Sequence, residues 1–280
     1  MQRRFQQVDV FSSTAYKGNP LGVVLDAPGL SSQEMINYSR WSNLSEVTFV
    51  LPSENPDADY RFRIFARERE YPFAGHPALG TARAWLAEGG VPKNSGLILA
   101  ECEAGVVPIK IQGDVLSFAS PPTIRSGTIE ASELAEVLHI LGVEQSQVLD
   151  SQWVDNGPGW MAILLDDHDL LLGLDPKIPT RPGRWKIGVI APLAHAQGEE
   201  KFEVRALTIE NGTLREDPVT GSLNGAAAQW LINTQKVHPP LINRQGSVIG
   251  YEGRVYLDAS DEHLWVGGHT QVLIRGTIEL

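Results

Sequence analysis

The chain has one cysteine, Cys102, among 280 residues, so it forms no intrachain disulfide and runs no two-thiol mechanism. It also lacks any apolar stretch near the ~18 residues a membrane-spanning helix needs. The opening MQRRFQQVDVF carries two arginines but no apolar core of signal-sequence length, and the expectation is a cytoplasmic protein. Basic residues are short: 23 Lys and Arg stand against 34 Asp and Glu, a net charge of −11. Such a surface repels phosphate backbones and anionic lipid, which argues against nucleic acid and membrane as partners. A local site on an acidic protein can still be positive, so a small anionic substrate stays open. The seven histidines, at 76, 139, 168, 195, 238, 263 and 269, are scattered. With no HExxH and no pair at ligand spacing, no metal site is expected. No G-x-G-x-x-G follows a strand, so no dinucleotide site and no cofactor is expected.

What is present is an ordinary globular composition, 42% apolar and 20% charged, long enough for two domains of roughly 100–150 residues. Short alternating or β-branched runs predict strands over 5–11, 21–25, 46–51, 59–65, 96–100, 105–111 and 115–119. The second half adds strands over 160–165, 186–191, 201–207, 254–259, 263–268 and 270–280. Helices are fewer. Residues 31–43 open with Ser31 and carry Glu34 three places on, a capping-box pattern. Residues 76–90 have Pro77 in the first turn and end at a glycine pair; 131–142 and 221–235 complete the set. Many strands without strict alternation with helices point to an α+β protein.

A weak internal repeat organises this pattern. At an offset of 145, Gly80, Ala82, Trp85 and Leu86 fall on Gly225, Ala227, Trp230 and Leu231. Each small-residue helix follows a strand, RFRIF at 61–65 and EVRAL at 203–207, with Arg63 opposite Arg205. A helix faced with Gly and Ala admits close neighbouring backbone, which suits burial inside a curved sheet. The repeat divides the chain into halves 1–122 and 123–280.

Three segments could carry chemistry: NLSEVTF (43–49), YPFAGHPALG (71–80) and EDPVTGS (216–222). The last two enter the two small-residue helices, where unpaired N–H groups and the helix dipole favour a carboxylate. His76 and Asp217 then stand beside an anion site; the plainer reading is that they cap backbone. Glu46 opens an apolar strand. It is either a solvated edge residue or a half-buried carboxylate whose pKa rises from ~4.3 toward neutrality, able to take and return a proton.

These segments, with QVDVF (7–11), GNPLGVVLDAPGLS (18–31), DNGPGW (155–160) and VGGHTQVLIRGTIEL (266–280), make the chain resemble the phenazine-biosynthesis PhzF-like family, which has the diaminopimelate epimerase fold. The resemblance runs nearly end to end. It implies two pseudo-symmetric halves, each a curled mixed β-sheet around a central helix, with the last strand returning to the first half. It implies a cofactor-independent isomerase, similar to dihydro-hydroxyanthranilate isomerase, that shifts a proton within a small carboxylate substrate, in a homodimer. Motif by motif, Glu46 would carry the proton while His76 and Asp217 assist. Ser45, Gly75, Gly221 and Ser222 would hydrogen-bond the substrate, with Asn19 also lining the site. Tyr71 departs from the Leu usual in the family's ELPFAGHP and bears on pocket shape.

Two rivals remain at this point. One is a two-base epimerase or racemase on the same fold, in which the loop positions that carry thiols elsewhere are His76 and Gly221. The other is a non-catalytic metabolite-binding protein, against which the joint presence of Glu46, His76 and Asp217 weighs.

Overall fold

The computed structural model describes residues 1–196, 198–260 and 262–280. The chain divides into two compact units, Met1–Ala119 with Val266–Leu280, and Ser120–Trp265.

The first unit contains β1 (Gln2–Val10), β2 (Asn19–Val24), α1 (Ser32–Ser42), β3 (Val47–Leu51), β4 (Tyr60–Ala66) and β5 (Arg69–Tyr71). After these come α2 (Gly75–Ala87), β6 (Leu97–Cys102), β7 (Gly105–Gln112) and β8 (Val115–Ala119). The second unit holds β9 (Arg125–Gly127), α3 (Ala131–Leu141), β10 (Val148–Asp155), β11 (Met161–Leu165), α4 (His168–Gly173) and β12 (Trp185–Pro192). It continues through β13 (Glu200–Glu210), β14 (Thr213–Asp217), α5 (Gly221–Asn233), β15 (Leu241–Gln245) and β16 (Gly253–Ser260). The closing strand β17 (His263–Glu279) starts in the second unit and runs on into the first, where it pairs antiparallel with β1 from Gln2↔Glu279 to Val10↔Thr270.

Strand pairing is mixed in both units. In the first unit β2 pairs parallel with β3, and β4 parallel with β6, among antiparallel neighbours. In the second, β11–β12 and β13–β15 are the parallel pairs. The strands of the first unit wrap α2, which touches β1, β2, β3, β6 and β8. That burial explains the helix composition: from Gly75 to Ala82 every residue is buried. At Gly80 an added Cβ would lie 2.5 Å from Leu21 Cδ2, so the strand approaches as closely as a side-chain-free position allows. Leu79, fully buried, supplies about 1.5–3 kcal/mol of apolar burial on this helix. The second unit repeats the device with α5, buried from Leu223 to Ala228 and again at Trp230 and Leu231.

The capping box on α1 forms as the sequence predicts: Ser31 N–H donates to Glu34 Oε2 at 2.8 Å and Glu34 N–H to Ser31 Oγ at 3.3 Å. The strands predicted from alternation are all present. Three differences have physical causes. β1 begins at Gln2 because its polar outer end still finds partners in β17 and, from Phe5, in β2. The two closing strands predicted over 263–268 and 270–280 are one strand, since Gly267 and Gly268 stay extended against their neighbours. Strands β5, β9, β10, β14 and β15, and the short helix α4, escaped detection because they are short or polar.

The two units share a motif more specific than the repeat at offset 145. The hairpin β4–β5 pairs Phe65 with Glu70, and β13–β14 pairs Leu207 with Glu216. Across the first, Arg63 Nε and Nη2 each reach Glu70 at 2.6 Å; across the second, Arg205 Nε and Nη2 reach Glu216 at 3.0 and 2.8 Å. Four residues after Glu70 and Glu216 respectively stand Ala74 and Thr220, and the helices then open on Gly75 and Gly221. The helix starts are therefore 146 apart, which corrects the offset of 145. Tyr71 corresponds to Asp217, and His76 to Ser222 rather than to Gly221.

Among the described residues no helix is long and apolar enough to cross a membrane. No group of three or more His, Cys, Asp or Glu side chains among them is arranged to hold a metal ion.

Candidate functional site

Two clusters gather the residues singled out from sequence, one in each unit. In the first unit, α1 ends at Asn43 in the left-handed conformation (φ 58°), which turns the chain sharply into Leu44, Ser45 and Glu46 before β3. Glu46 thus leaves the sheet at the base of a parallel strand, and its side chain keeps 26% exposure. His76 is the second residue of α2, a helix with no side-chain cap at Ala74, and is 6% exposed. His76 Nδ1 lies 3.3 Å from Glu46 Oε2. A carboxylate at Nδ1 favours the proton on that nitrogen. The other nitrogen, Nε2, is buried with no partner among the described residues. The pair therefore has a partly open carboxylate backed by a buried imidazole, an arrangement that can hold and hand on a proton.

Gly75 makes this placement possible. A Cβ there would stand 2.2 Å from Phe118 Cζ, so α2 begins with its backbone pressed on the β8 side chain. Ser45 is exposed in the bend before β3, and Asn19 is buried at the first position of β2, opposite Val10. Tyr71 sits at the end of β5, partly buried.

Sequence reasoning missed Asp9. It lies in β1, 3% exposed, and accepts the Lys17 N–H at 3.1 Å. Burial pushes its carboxyl above the usual range, while the Gly18, Lys17 and Tyr16 amides and the His76 charge pull it back. The sequence signal was there in QVDVF, where a lone Asp interrupts an apolar strand.

In the second unit Asp217 ends β14. Thr220 Oγ1 donates to Asp217 Oδ2 at 2.5 Å, and Gln245, fully buried, ties the loop together. Gln245 Nε2 donates to the Asp217 carbonyl and to Thr220 Oγ1, both at 3.0 Å, and its Oε1 accepts the Thr220 N–H at 3.0 Å and Asn224 Nδ2 at 2.7 Å. Asn243 continues the network to Asn224 at 2.9 Å. Around Gln245 and Asn224 every side-chain amide group is hydrogen-bonded, and a buried network so connected holds one geometry. Helix α5 then starts at Gly221 and Ser222 with no side-chain cap. Its first-turn N–H groups carry the positive end of the helix dipole.

The family profile described as phenazine biosynthesis-like protein matches residues 8–278. A Pseudomonas chlororaphis protein named trans-2,3-dihydro-3-hydroxyanthranilate isomerase is 35% identical over 98% of each chain. A Schizosaccharomyces pombe protein named antisense-enhancing sequence 1 is 34% identical, again over 98% of each. Among solved structures, a Bacillus anthracis phenazine biosynthesis protein of the PhzF family superposes with a TM-score of 0.82 at 23% identity, covering all of both chains. The fold is α+β and diaminopimelate epimerase-like.

Proposed function

Because the chain belongs to the phenazine biosynthesis-like protein family, we propose that it is an isomerase that moves a proton between carbons of a small carboxylate substrate, without a cofactor. The observation that carries the reading is the Glu46–His76 pair at 3.3 Å, with a quarter of the Glu46 side chain open to solvent and the imidazole buried behind it.

The chemistry balances on the substrate alone. One carbon gives up a proton and another receives it, so nothing is oxidised or reduced. A C–H proton becomes removable when the negative charge left behind spreads onto a conjugated carboxylate. Glu46 takes the proton and returns it; a positioned acid/base of this kind contributes about 10²–10⁴-fold. His76 Nδ1–H orients the carboxylate and offsets its charge. Asp217, held by Thr220, is the further acid/base group assigned to the transfer. Gly221 and Ser222 are assigned as donors to the substrate carboxylate, where charge builds, and Ser45, Gly75 and Asn19 as hydrogen-bonding contacts for the substrate.

Relatives named for trans-2,3-dihydro-3-hydroxyanthranilate make that compound the first substrate to try. Incubated with the protein in D₂O and followed by NMR, it is expected to isomerise and to acquire deuterium at the carbon that receives the proton. Isomerisation that survives Glu46→Gln at the wild-type rate would contradict transfer through Glu46. A β,γ-unsaturated carboxylate screened alongside tests the wider class.

A further inference from the structure

The motif DNGPGW has no role in the reaction as proposed, yet its side chains converge on the start of α5. Asp155 Oδ1 accepts the Gly157 N–H at 2.8 Å and the Gly159 N–H at 2.6 Å, which closes the turn. The Val154 N–H donates to the Trp160 carbonyl at 3.0 Å and fixes where the indole begins. Trp160 is 2% exposed, and its Nε1–H donates to Ser222 Oγ at 3.0 Å. Asn156, 8% exposed, donates from Nδ2 to the Ser222 carbonyl at 3.1 Å, and its Oδ1 is buried without a partner among the described residues. The Lys186 ammonium lies 5.1 Å from the Trp160 ring centroid and braces the indole from its face.

An indole nitrogen can only donate, whereas a hydroxyl has one proton and two lone pairs. Ser222 Oγ must therefore accept from Trp160, and that bond turns its own proton toward another acceptor. We propose, resting on the functional reading above, that Trp160 and Asn156 are positioning residues that fix the Ser222 hydroxyl as a donor to the substrate carboxylate at the uncapped start of α5. Asn156 holds the Ser222 backbone while Trp160 sets the hydroxyl rotor, so the donor is oriented before substrate arrives. Preorganisation of this kind lowers the ordering cost of binding.

The test uses the full chain, with anthranilate as a stable probe, anthranilamide as its neutral control, and turnover of trans-2,3-dihydro-3-hydroxyanthranilate. Trp160→Phe keeps the ring and removes the N–H. It is expected to raise the anthranilate Kd about fivefold, to lower kcat/KM about tenfold, and to shrink the preference for anthranilate over anthranilamide. Ser222→Ala should do the same, and the double variant should lose nothing further, because both changes remove one interaction. A Trp160→Phe loss that is just as large in the Ser222→Ala background would overturn the inference. So would a Trp160→Phe protein that binds and turns over as the wild type does, with the functional reading left standing. A wild-type protein that neither binds anthranilate nor turns over the substrate overturns both. Should Trp160→Phe fail to fold, the Trp160 indole N–H resonance of the intact protein decides. Anthranilate is expected to shift it, while anthranilamide shifts it less, and a resonance indifferent to saturating anthranilate refutes the proposal.

Discussion

Substituting Gly75→Ala should damage the reaction through packing alone. An added Cβ would stand 2.2 Å from Phe118 Cζ and 2.4 Å from Cε1. Carbon atoms settle at about 3.5–4.0 Å, so the helix start or the ring must give way by something over ~1 Å. Phe118 has nowhere easy to go, being 1% exposed and packed edge-on against Phe73 with centroids 5.5 Å apart. Overpacking of this kind costs about 1–3 kcal/mol, and each kcal/mol lowers Tm by roughly 2–4 °C in domains of 150–250 residues. The next residue is His76, whose Nδ1 lies 3.3 Å from Glu46. Displacement by ~1 Å of a group that must be aligned can cost ~10²-fold in rate. The expected result is a folded variant, a few degrees less stable, with kcat down on the order of 10–100-fold. Phe118→Leu in the same chain makes room for the methyl and should recover much of the rate despite its own stability cost. Calorimetry and steady-state kinetics on the single and double variants read both effects. A Gly75→Ala protein with wild-type kcat and Tm would refute the packing argument, and a double variant no faster than the single would refute its link to His76.

The Arg–Glu pairs of the two units differ in burial and should differ in worth. Arg205 is nearly buried and also donates to the Leu171 and Leu174 carbonyls at 3.1 and 2.9 Å, so Arg205→Met strands Glu216 and two carbonyls, at about 3–5 kcal/mol by denaturant unfolding. Arg63→Met, at a site with 20% side-chain exposure, should cost visibly less; equal losses would contradict this ranking. Thr220→Val removes the 2.5 Å bond to Asp217 and should lower kcat by roughly 10–100-fold with a smaller change in KM, whereas an unchanged kcat would detach Asp217 from the chemistry. Acid stability tests Glu200, which Arg244 and Arg254 hold below its ordinary pKa of 4.5. A depressed carboxylate stabilises the fold above that ordinary value and loses its contribution as the pH falls through the folded pKa. Glu200→Gln should therefore lie below the wild type in Tm near pH 7 and converge on it in acid; parallel curves across that range would be the wrong outcome.

Much of the fold was legible because its strands alternate cleanly and its two central helices are built from Gly and Ala. The repeat was visible as well, but one residue out of register. Glycines and tryptophans coincide at an offset of 145, whereas the backbone is organised by Arg63–Glu70 and Arg205–Glu216 and by the glycines that open each helix. A one-residue slip is invisible to small-residue matching on a helix buried all round. The pairing of Glu46 with His76 needs coordinates, since 30 residues separate them and only the left-handed turn at Asn43 sets the direction of approach. Asp9 and Trp160 escaped for opposite reasons. A single Asp in an apolar strand reads as an edge residue, although its carboxylate lies buried against the loop amide of Lys17. A Trp in a turn reads as packing, although its N–H is spent on Ser222.

The most direct test of the account is Glu46→Gln, which keeps the shape of the side chain and removes its capacity to carry a proton. Turnover and anthranilate binding would be measured side by side in D₂O. Isomerisation and substrate deuteration should both fall by at least ~10²-fold, with anthranilate affinity within a few-fold of the wild type. Deuterium incorporation at the wild-type rate in Glu46→Gln would contradict it.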